Sequence, residues 1–192
     1  MTTATTTTTT ITTTNVTLVT NGTGEILRIG PIKIHILEDG SNTDNRLGAI
    51  SLTIPPHTSG PPQHWHRMHD ETFLVTKGTV RFTTGKRDVD AKAGDYIVVP
   101  LRAVHTFSNP FDEEAEFFNT FSPAYYVDYL RLTAKAVAAK GGPLSRNQAR
   151  GIMAQFATFP SEGPEEDVVE WERNAVRNER MLELELLWRR TW

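Results

Sequence analysis

The chain has 192 residues, with 20 Lys and Arg against 23 Asp and Glu, six histidines and no cysteine. That length suits one sizeable domain with extensions. The lack of thiols excludes disulfide scaffolding and thiolate metal sites, and a formal net charge of −3 without a basic cluster excludes the footprint of a nucleic-acid binder. No apolar run approaches the roughly 20 residues that span a bilayer, so no membrane partner is expected.

Residues 1–15 are a Thr-rich tract, too poor in apolar side chains to offset the entropy of ordering, and read as a disordered tail. The tract has neither the basic start and apolar run of a secretory signal nor the arginines of a transit peptide, so a cytoplasmic location is expected. From 16 to 122, short apolar runs are broken by Gly, Pro, Asn and Asp, the pattern of an antiparallel all-β domain. Strands are expected over 17–19, 25–29, 33–37, 48–54, 63–67, 72–76, 80–83, 87–91, 96–99, 105–108 and 115–120. Turns are expected at Glu38-Asp39-Gly40, Lys77-Gly78, Thr84-Gly85-Lys86, Ala93-Gly94-Asp95 and Asn109-Pro110. Strands this short and this regularly spaced imply a closed barrel or jelly roll, which removes most exposed sheet edges.

Residues 123–192 read as a helical extension. Over 125–140 the helical period places Tyr126, Tyr129, Leu130, Thr133 and Val137 on one face, and Gly141-Gly142-Pro143 stops the helix. Ser145 is the expected N-cap of a second helix running to about residue 156. Beyond an acidic stretch over 160–167, Leu182-Glu183-Leu184-Glu185-Leu186 alternates like a strand but consists of strong helix formers. A helix is expected there, packed on the barrel or on a second subunit, and with it a homodimer.

Five of the six histidines fall between His57 and His105. His64 and His66 are separated by one residue, so on a strand both project from one face about 6.6 Å apart and can converge on one ion. Glu71 follows after a hairpin-length spacer, and the same parity points Phe73 and Val75 inward as apolar lining. Gly94 and Pro100 bracket another strand, and His105 opens the next one, so its imidazole can return to the same interior. Three imidazoles and one carboxylate make a mixed N/O site for a divalent first-row metal, with positions left for substrate or dioxygen. Phe107 and Phe118 are further candidates for the lining of a substrate cavity. His69 is expected as a solvated turn histidine, at most near the cavity mouth. His35 and His57 read as strand residues, His35 facing away from Ile34 and Ile36.

The joint pattern HxHx4Ex6G and Gx5PxxxxHxxxN is carried by His64, His66, Glu71, Gly78, Gly94, Pro100, His105 and Asn109. These segments resemble the paired motifs of the cupin superfamily. The resemblance implies a single jelly-roll β-barrel whose metal ligands are His64, His66, Glu71 and His105. Two departures stand out: only three residues separate Gly60 from His64, where five are usual, and Arg102 replaces the glycine usual two residues after Pro100.

The lead-in GPPxHxH, the single motif pair and the aromatic helix after Ser-Pro resemble the monocupin, quercetinase-like branch. That likeness implies a flavonol, polyphenol or polyketide substrate. Metal charge would lower the pKa of its enol or phenol hydroxyl, Glu71 would act as general base, and dioxygen would open the ring with loss of carbon monoxide. Two alternatives remain open at this level. A non-oxidative isomerase, dehydratase, decarboxylase or cyclase of secondary metabolism needs the same ligands, and a non-catalytic cupin needs only the fold. The ligand types admit Fe, Mn, Co, Ni, Cu or Zn.

Overall fold

A computed structural model describes residues 15–20 and 22–161 of the chain. The Thr-rich tract up to residue 14 and the expected terminal helix lie outside the described residues. Twelve strands and two helices follow in the order β1 (Glu25–Ile29), β2 (Ile32–Asp39), β3 (Gly48–Ile54), β4 (Thr58–Ser59), β5 (His64–His66), β6 (Asp70–Lys77), β7 (Thr79–Thr84), β8 (Arg87–Lys92), β9 (Tyr96–Val99), β10 (Thr106–Asn109), β11 (Ala115–Ser122), α1 (Tyr126–Lys140), α2 (Arg146–Gln155) and β12 (Thr158–Pro160). Among the described residues no helix is long and apolar enough to cross a membrane.

The strands form an antiparallel jelly roll. One sheet runs β1-β2-β3-β11-β6-β9, a second β4-β10-β7-β8, and a two-stranded sheet joins β12 to β5. Alternation along each strand decides which side chains go inside. Ile32, Ile34 and Ile36 of β2, Ile50, Leu52 and Ile54 of β3, Phe73 and Val75 of β6, and Phe117 and Phe121 of β11 are all buried in one core. Phe73 meets Phe82 at 5.1 Å and Phe117 at 5.3 Å between ring centroids, both edge to face, so aromatic rings bridge the two sheets. The expected turns are in place, with Gly40, Gly78, Gly85 and Gly94 at positive φ. At Gly78 space also matters, since a Cβ there would lie 2.7 Å from the Glu114 carbonyl oxygen.

Three expectations fail. The segment 17–19 is not a strand; residues 15–20 have no regular structure, and Val16 and Leu18 are exposed, with no neighbouring strand to pair with. His57 does not sit in a strand. It occupies a turn before β4 at φ 53, its Nε2 3.1 Å from Asp112 Oδ1. The region after residue 123 is not purely helical, because the chain returns as β12 and pairs Thr158 with His66, Phe159 with Trp65 and Pro160 with His64. β5 has an open edge, and the aromatic and β-branched residues of β12 suit the pairing that closes it. His35 does alternate as expected, half-buried beside buried Ile34 and Ile36, and bonds to the Thr23 carbonyl oxygen.

The helices form a cover over one side of the barrel. α1 buries Tyr126, Val127, Leu130, Thr133 and Ala134 and ends at Gly141 in the left-handed conformation, φ 68. Arg131 fastens it down, reaching Glu25 Oε2 at 2.7 Å, Asp39 Oδ2 at 2.8 Å and Asp128 Oδ1 at 3.1 Å. The guanidinium holds the Asp39 carboxyl at about 2. α2 starts at a full capping box, in which the Ser145 hydroxyl accepts from Gln148 N and the Gln148 side chain accepts from Ser145 N.

Candidate metal centre

Local backbone geometry brings the two motifs together. β5 turns His64 and His66 inward and Trp65 outward, where its ring stacks on Phe159 at 4.6 Å. His64 and His105 form an isolated antiparallel bridge, with His64 N donating to His105 O at 3.0 Å and His105 N donating to His64 O at 2.8 Å. That exchange clamps the second motif onto the first. Glu71, paired with Val99 on one side and Phe121 on the other, projects into the same interior. Gly60 permits the approach: its N–H donates to Phe107 O at 3.1 Å, and a Cβ would collide with that same oxygen. Asn109 is a turn brace and not part of the centre. Its Nδ2 donates to Ile54 O and Glu113 O, and its Oδ1 accepts from Phe111 N.

His64, His66, His105 and Glu71 are buried and converge. The ligand nitrogens of His64, His66 and His105 lie within 4.8 Å of one another, and His66, His69 and Glu71 form a second group of the same kind. Glu71 Oε1 is 3.4 Å from His66 Nε2, and Oε2 is 3.4 Å from His105 Nε2.

Outer partners fix the tautomers. A carbonyl oxygen only accepts, so His64 Nδ1–H donates to Pro62 O at 2.8 Å and His105 Nδ1–H donates to Ala103 O at 2.9 Å. The Thr158 hydroxyl donates to Phe156 O at 3.2 Å and therefore accepts from His66 Nδ1–H at 3.0 Å. With each Nδ1 protonated, each neutral ring aims an Nε2 lone pair at the centre. His66 Nε2 is buried without a hydrogen-bond partner among the described residues. A buried acceptor left bare is costly, and a cation between the rings would satisfy it. The donor set of three imidazoles and one carboxylate therefore fits a divalent first-row metal.

Electrostatics keep the donors ready. Burial, with help from the neighbouring His105 charge, pushes the His64 imidazole down to about 4. Burial likewise holds His66 well below its usual value. Burial works against the Glu71 carboxylate, but His66, His105 and His69 outweigh it and keep Glu71 well below the carboxylate range. Burial also opposes a charged His105, yet Glu71 outweighs that and raises it.

His69 is placed differently from the sequence expectation. It is buried instead of solvated, and its Nε2–H donates to Glu71 Oε1 at 3.2 Å. Its ring packs against His66 at 4.0 Å and Tyr126 at 4.4 Å. The turn between β5 and β6 would leave it wet, but α1 lays Tyr126 across it, and nothing local in the sequence announces that contact. Arg102 is an exposed turn residue at φ 66, its N–H donating to His66 O at 2.8 Å. It adopts the left-handed conformation, one that a glycine, usual at this place in the motif it resembles, takes without strain.

A cavity of about 850 Å³ opens beside the centre, bordered by His64, Glu71 and His105. Phe73 and Phe107 line it as expected. Val75 and Phe118 do not. Val75 points inward but is sealed in the barrel core away from the cavity. Phe118 lies on the outer face of β11 opposite Leu74, because Phe117, Asn119 and Phe121 take the inner face. The phase of Phe117-Phe118 is ambiguous in sequence. A polar Asn119 argues against the observed choice, until its Nδ2 is seen donating to Thr72 O at 3.0 Å. The helical cover supplies Tyr126, Tyr129, Leu130 and Met153, most of them on the face read from the helical period.

Residues 51–121 match the cupin domain. A stretch of 87 residues, 45% of the chain, is 28% identical to quercetin 2,3-dioxygenase of Bacillus subtilis (strain 168), and the chain spans only 26% of that relative's length. Among solved structures, KdgF from Halomonas sp. shares 20% identity over 54% of this chain and 92% of its own, with a TM-score of 0.48. An RmlC-like cupin from Shewanella frigidimarina NCIMB 400 shares 25% identity over 55% of this chain and 89% of its own, with the same TM-score of 0.48. The motif pair, the antiparallel jelly roll and the domain match agree: the chain carries a cupin domain, and within the cupins it resembles the quercetinases.

Proposed function

We propose that this protein is a metal-dependent cupin enzyme, a quercetinase-like dioxygenase that acts on an enolic or phenolic small molecule such as a flavonol, polyphenol or polyketide. The observation that carries this reading is the bare, buried His66 Nε2 among imidazoles of fixed tautomer, with its neighbours His64, Glu71 and His105 bordering an apolar cavity large enough for an aromatic molecule. His64, His66, His105 and Glu71 would hold the metal, which when bound supplies positive charge that lowers the pKa of an enol or phenol hydroxyl.

The chain's own groups do the rest. Glu71 is ionised at neutral pH and takes the substrate proton at Oε2, while His69 holds Oε1 by a hydrogen bond. Phe107, only partly buried, offers its ring to a planar substrate, and Phe73 and Phe117 pack behind it and exclude water. Electron density left on the deprotonated substrate then meets dioxygen as co-substrate. A homodimer belongs to the same reading, and mass in solution tests it.

The deciding experiment is metal-loaded single turnover of flavonols and polyphenols with and without dioxygen, read by oxygen uptake and product mass. Product that incorporates oxygen atoms from dioxygen supports the dioxygenase. Equal turnover without dioxygen sinks it in favour of non-oxidative chemistry. Metal retention by Glu71→Gln with full turnover removes Glu71 from the role of base.

A further inference from the structure

Four buried histidines stand at the centre, and one of them carries its proton on the other side. His64, His66 and His105 give the Nδ1 proton to Pro62 O, Thr158 Oγ1 and Ala103 O, and turn a bare Nε2 inward. His69 reverses the pattern. Its ring meets Glu71 Oε1 through Nε2 at 3.2 Å, and a carboxylate only accepts, so the proton sits on the inner nitrogen. A protonated Nε2 does not ligate, so His69 is near enough to join His66 and Glu71 as a metal donor but has the wrong tautomer for it.

The two oxygens of Glu71 are otherwise alike. Oε1 lies 3.4 Å from His66 Nε2 and Oε2 lies 3.4 Å from His105 Nε2, so an ion among the imidazoles is within reach of both. A carboxylate held by a metal through both oxygens is a weak base. The His69 hydrogen bond makes the oxygens unequal, and packing keeps that bond aimed. The His69 ring lies between His66, at 4.0 Å and 34°, and Tyr126, at 4.4 Å and 36°. Tyr126 is in turn stacked on Tyr129 at 4.5 Å and 12°, and both tyrosines belong to α1 and border the cavity.

We infer that His69 is a positioning residue through which the helical cover decides how many oxygens Glu71 offers the metal. Tyr126 clamps His69, His69 holds Oε1 back, and Oε2 alone meets the ion or the substrate proton. The roles of Glu71 as ligand and base rest on the function proposed above.

The test uses the full-length protein, loaded with zinc, and the infrared splitting between the two carboxylate stretches of Glu71. Glutamate labelled with ¹³C and subtraction of the Glu71→Gln spectrum isolate that signal. The splitting should be wide, as for a carboxylate bound through one oxygen. His69→Phe keeps a ring in the stack and removes the donor; His69→Leu is the smaller replacement if the larger ring does not fit. Either should narrow the splitting to that of a chelating carboxylate and leave zinc affinity equal or higher. His69→Gln, which can still donate to Oε1, should restore the wide splitting. In turnover, His69→Phe should lower kcat about tenfold with KM little changed, and His69→Gln should recover most of it. A narrow splitting in the unmodified protein, a wide one kept by both donor-free variants, or loss of zinc from them overturns the inference. Full turnover by His69→Phe despite a narrowed splitting overturns it too, because the base would then need no free oxygen. The infrared measurement needs no substrate, so the expected splittings without turnover of any flavonol or polyphenol remove the enzyme and keep the positioning.

Discussion

The two walls of the cavity are built on different principles. The strand wall is set by β-alternation: Phe73, Phe117 and Ile50 are inside because every second residue must be, and they are locked in the core between two sheets. The helical wall is added from one side, held by the Arg131 ion pairs and by the β12–β5 pairing, and brings the hydroxyls of Tyr126, Tyr129 and Thr133 among apolar side chains such as Leu130 and Met153. The candidate metal donors His64, His66, Glu71 and His105 all come from the strand side, and the helical side adds the rest of the cavity border.

The contrast breaks most sharply at Phe117, which is fully buried and packs edge to face on Phe107 at 5.1 Å. Phe117→Ala should cost about 3–5 kcal/mol in urea unfolding. Substitutions of Arg146, on the helical wall, should leave the midpoint nearly unchanged.

Acid comes next in size. The folded chain keeps His64 neutral down to about 4, and holds His66 well below 6.5, while the unfolded chain protonates both near 6.5. Their contribution is fully present above 6.5 and is lost as pH falls toward 4. Glu71, also lowered, acts in the same sense at more acid pH. His105 is raised and opposes them, its contribution being present in acid and lost as pH rises. The metal-free protein should therefore lose a few kcal/mol across this window, and a flat profile of stability against pH would contradict buried neutral imidazoles.

His105→Ala removes a donor that the strand wall alone supplies. Metal affinity should fall by more than about a hundredfold, past the usual cost of losing an outer partner, as read by competition with a chromophoric chelator. Thr158→Val tests where the helical side reaches into the centre. Loss of the acceptor for His66 Nδ1–H should weaken metal binding about tenfold by the same assay. Arg102→Gly gives the smallest effect, a stabilisation of about 0.5 kcal/mol, because glycine relieves the left-handed strain at φ 66 but frees the unfolded chain.

Much of the strand wall was legible in the sequence, and less of the helical one. His64, His66, Glu71 and His105 stand at spacings that β-geometry converts directly into convergence. The α1 face from Tyr126 to Val137 and the Ser145 cap follow from helical period and capping chemistry. The burial of His69 and the anchoring of His66 by Thr158 are long-range effects, the latter across 92 positions, and neither leaves a local trace. Phe118 was misplaced because adjacent phenylalanines do not fix a strand's phase, and the buried Asn119 reads as an outward residue until its bond to Thr72 O is known.

The pairing of β12 with β5 has a consequence in the order of synthesis. Both metal motifs leave the ribosome before Thr158 does. Until that residue arrives and docks, His66 Nδ1–H has no acceptor, and the Glu71 carboxylate 3.4 Å from Nε2 favours the proton on the wrong nitrogen. The nascent barrel can gather its imidazoles but presents one of them with its proton misplaced. Docking of β12 is then what readies the His66 donor, and a product stopped short of Thr158 would carry every proposed ligand and still bind metal less well than the longer chain.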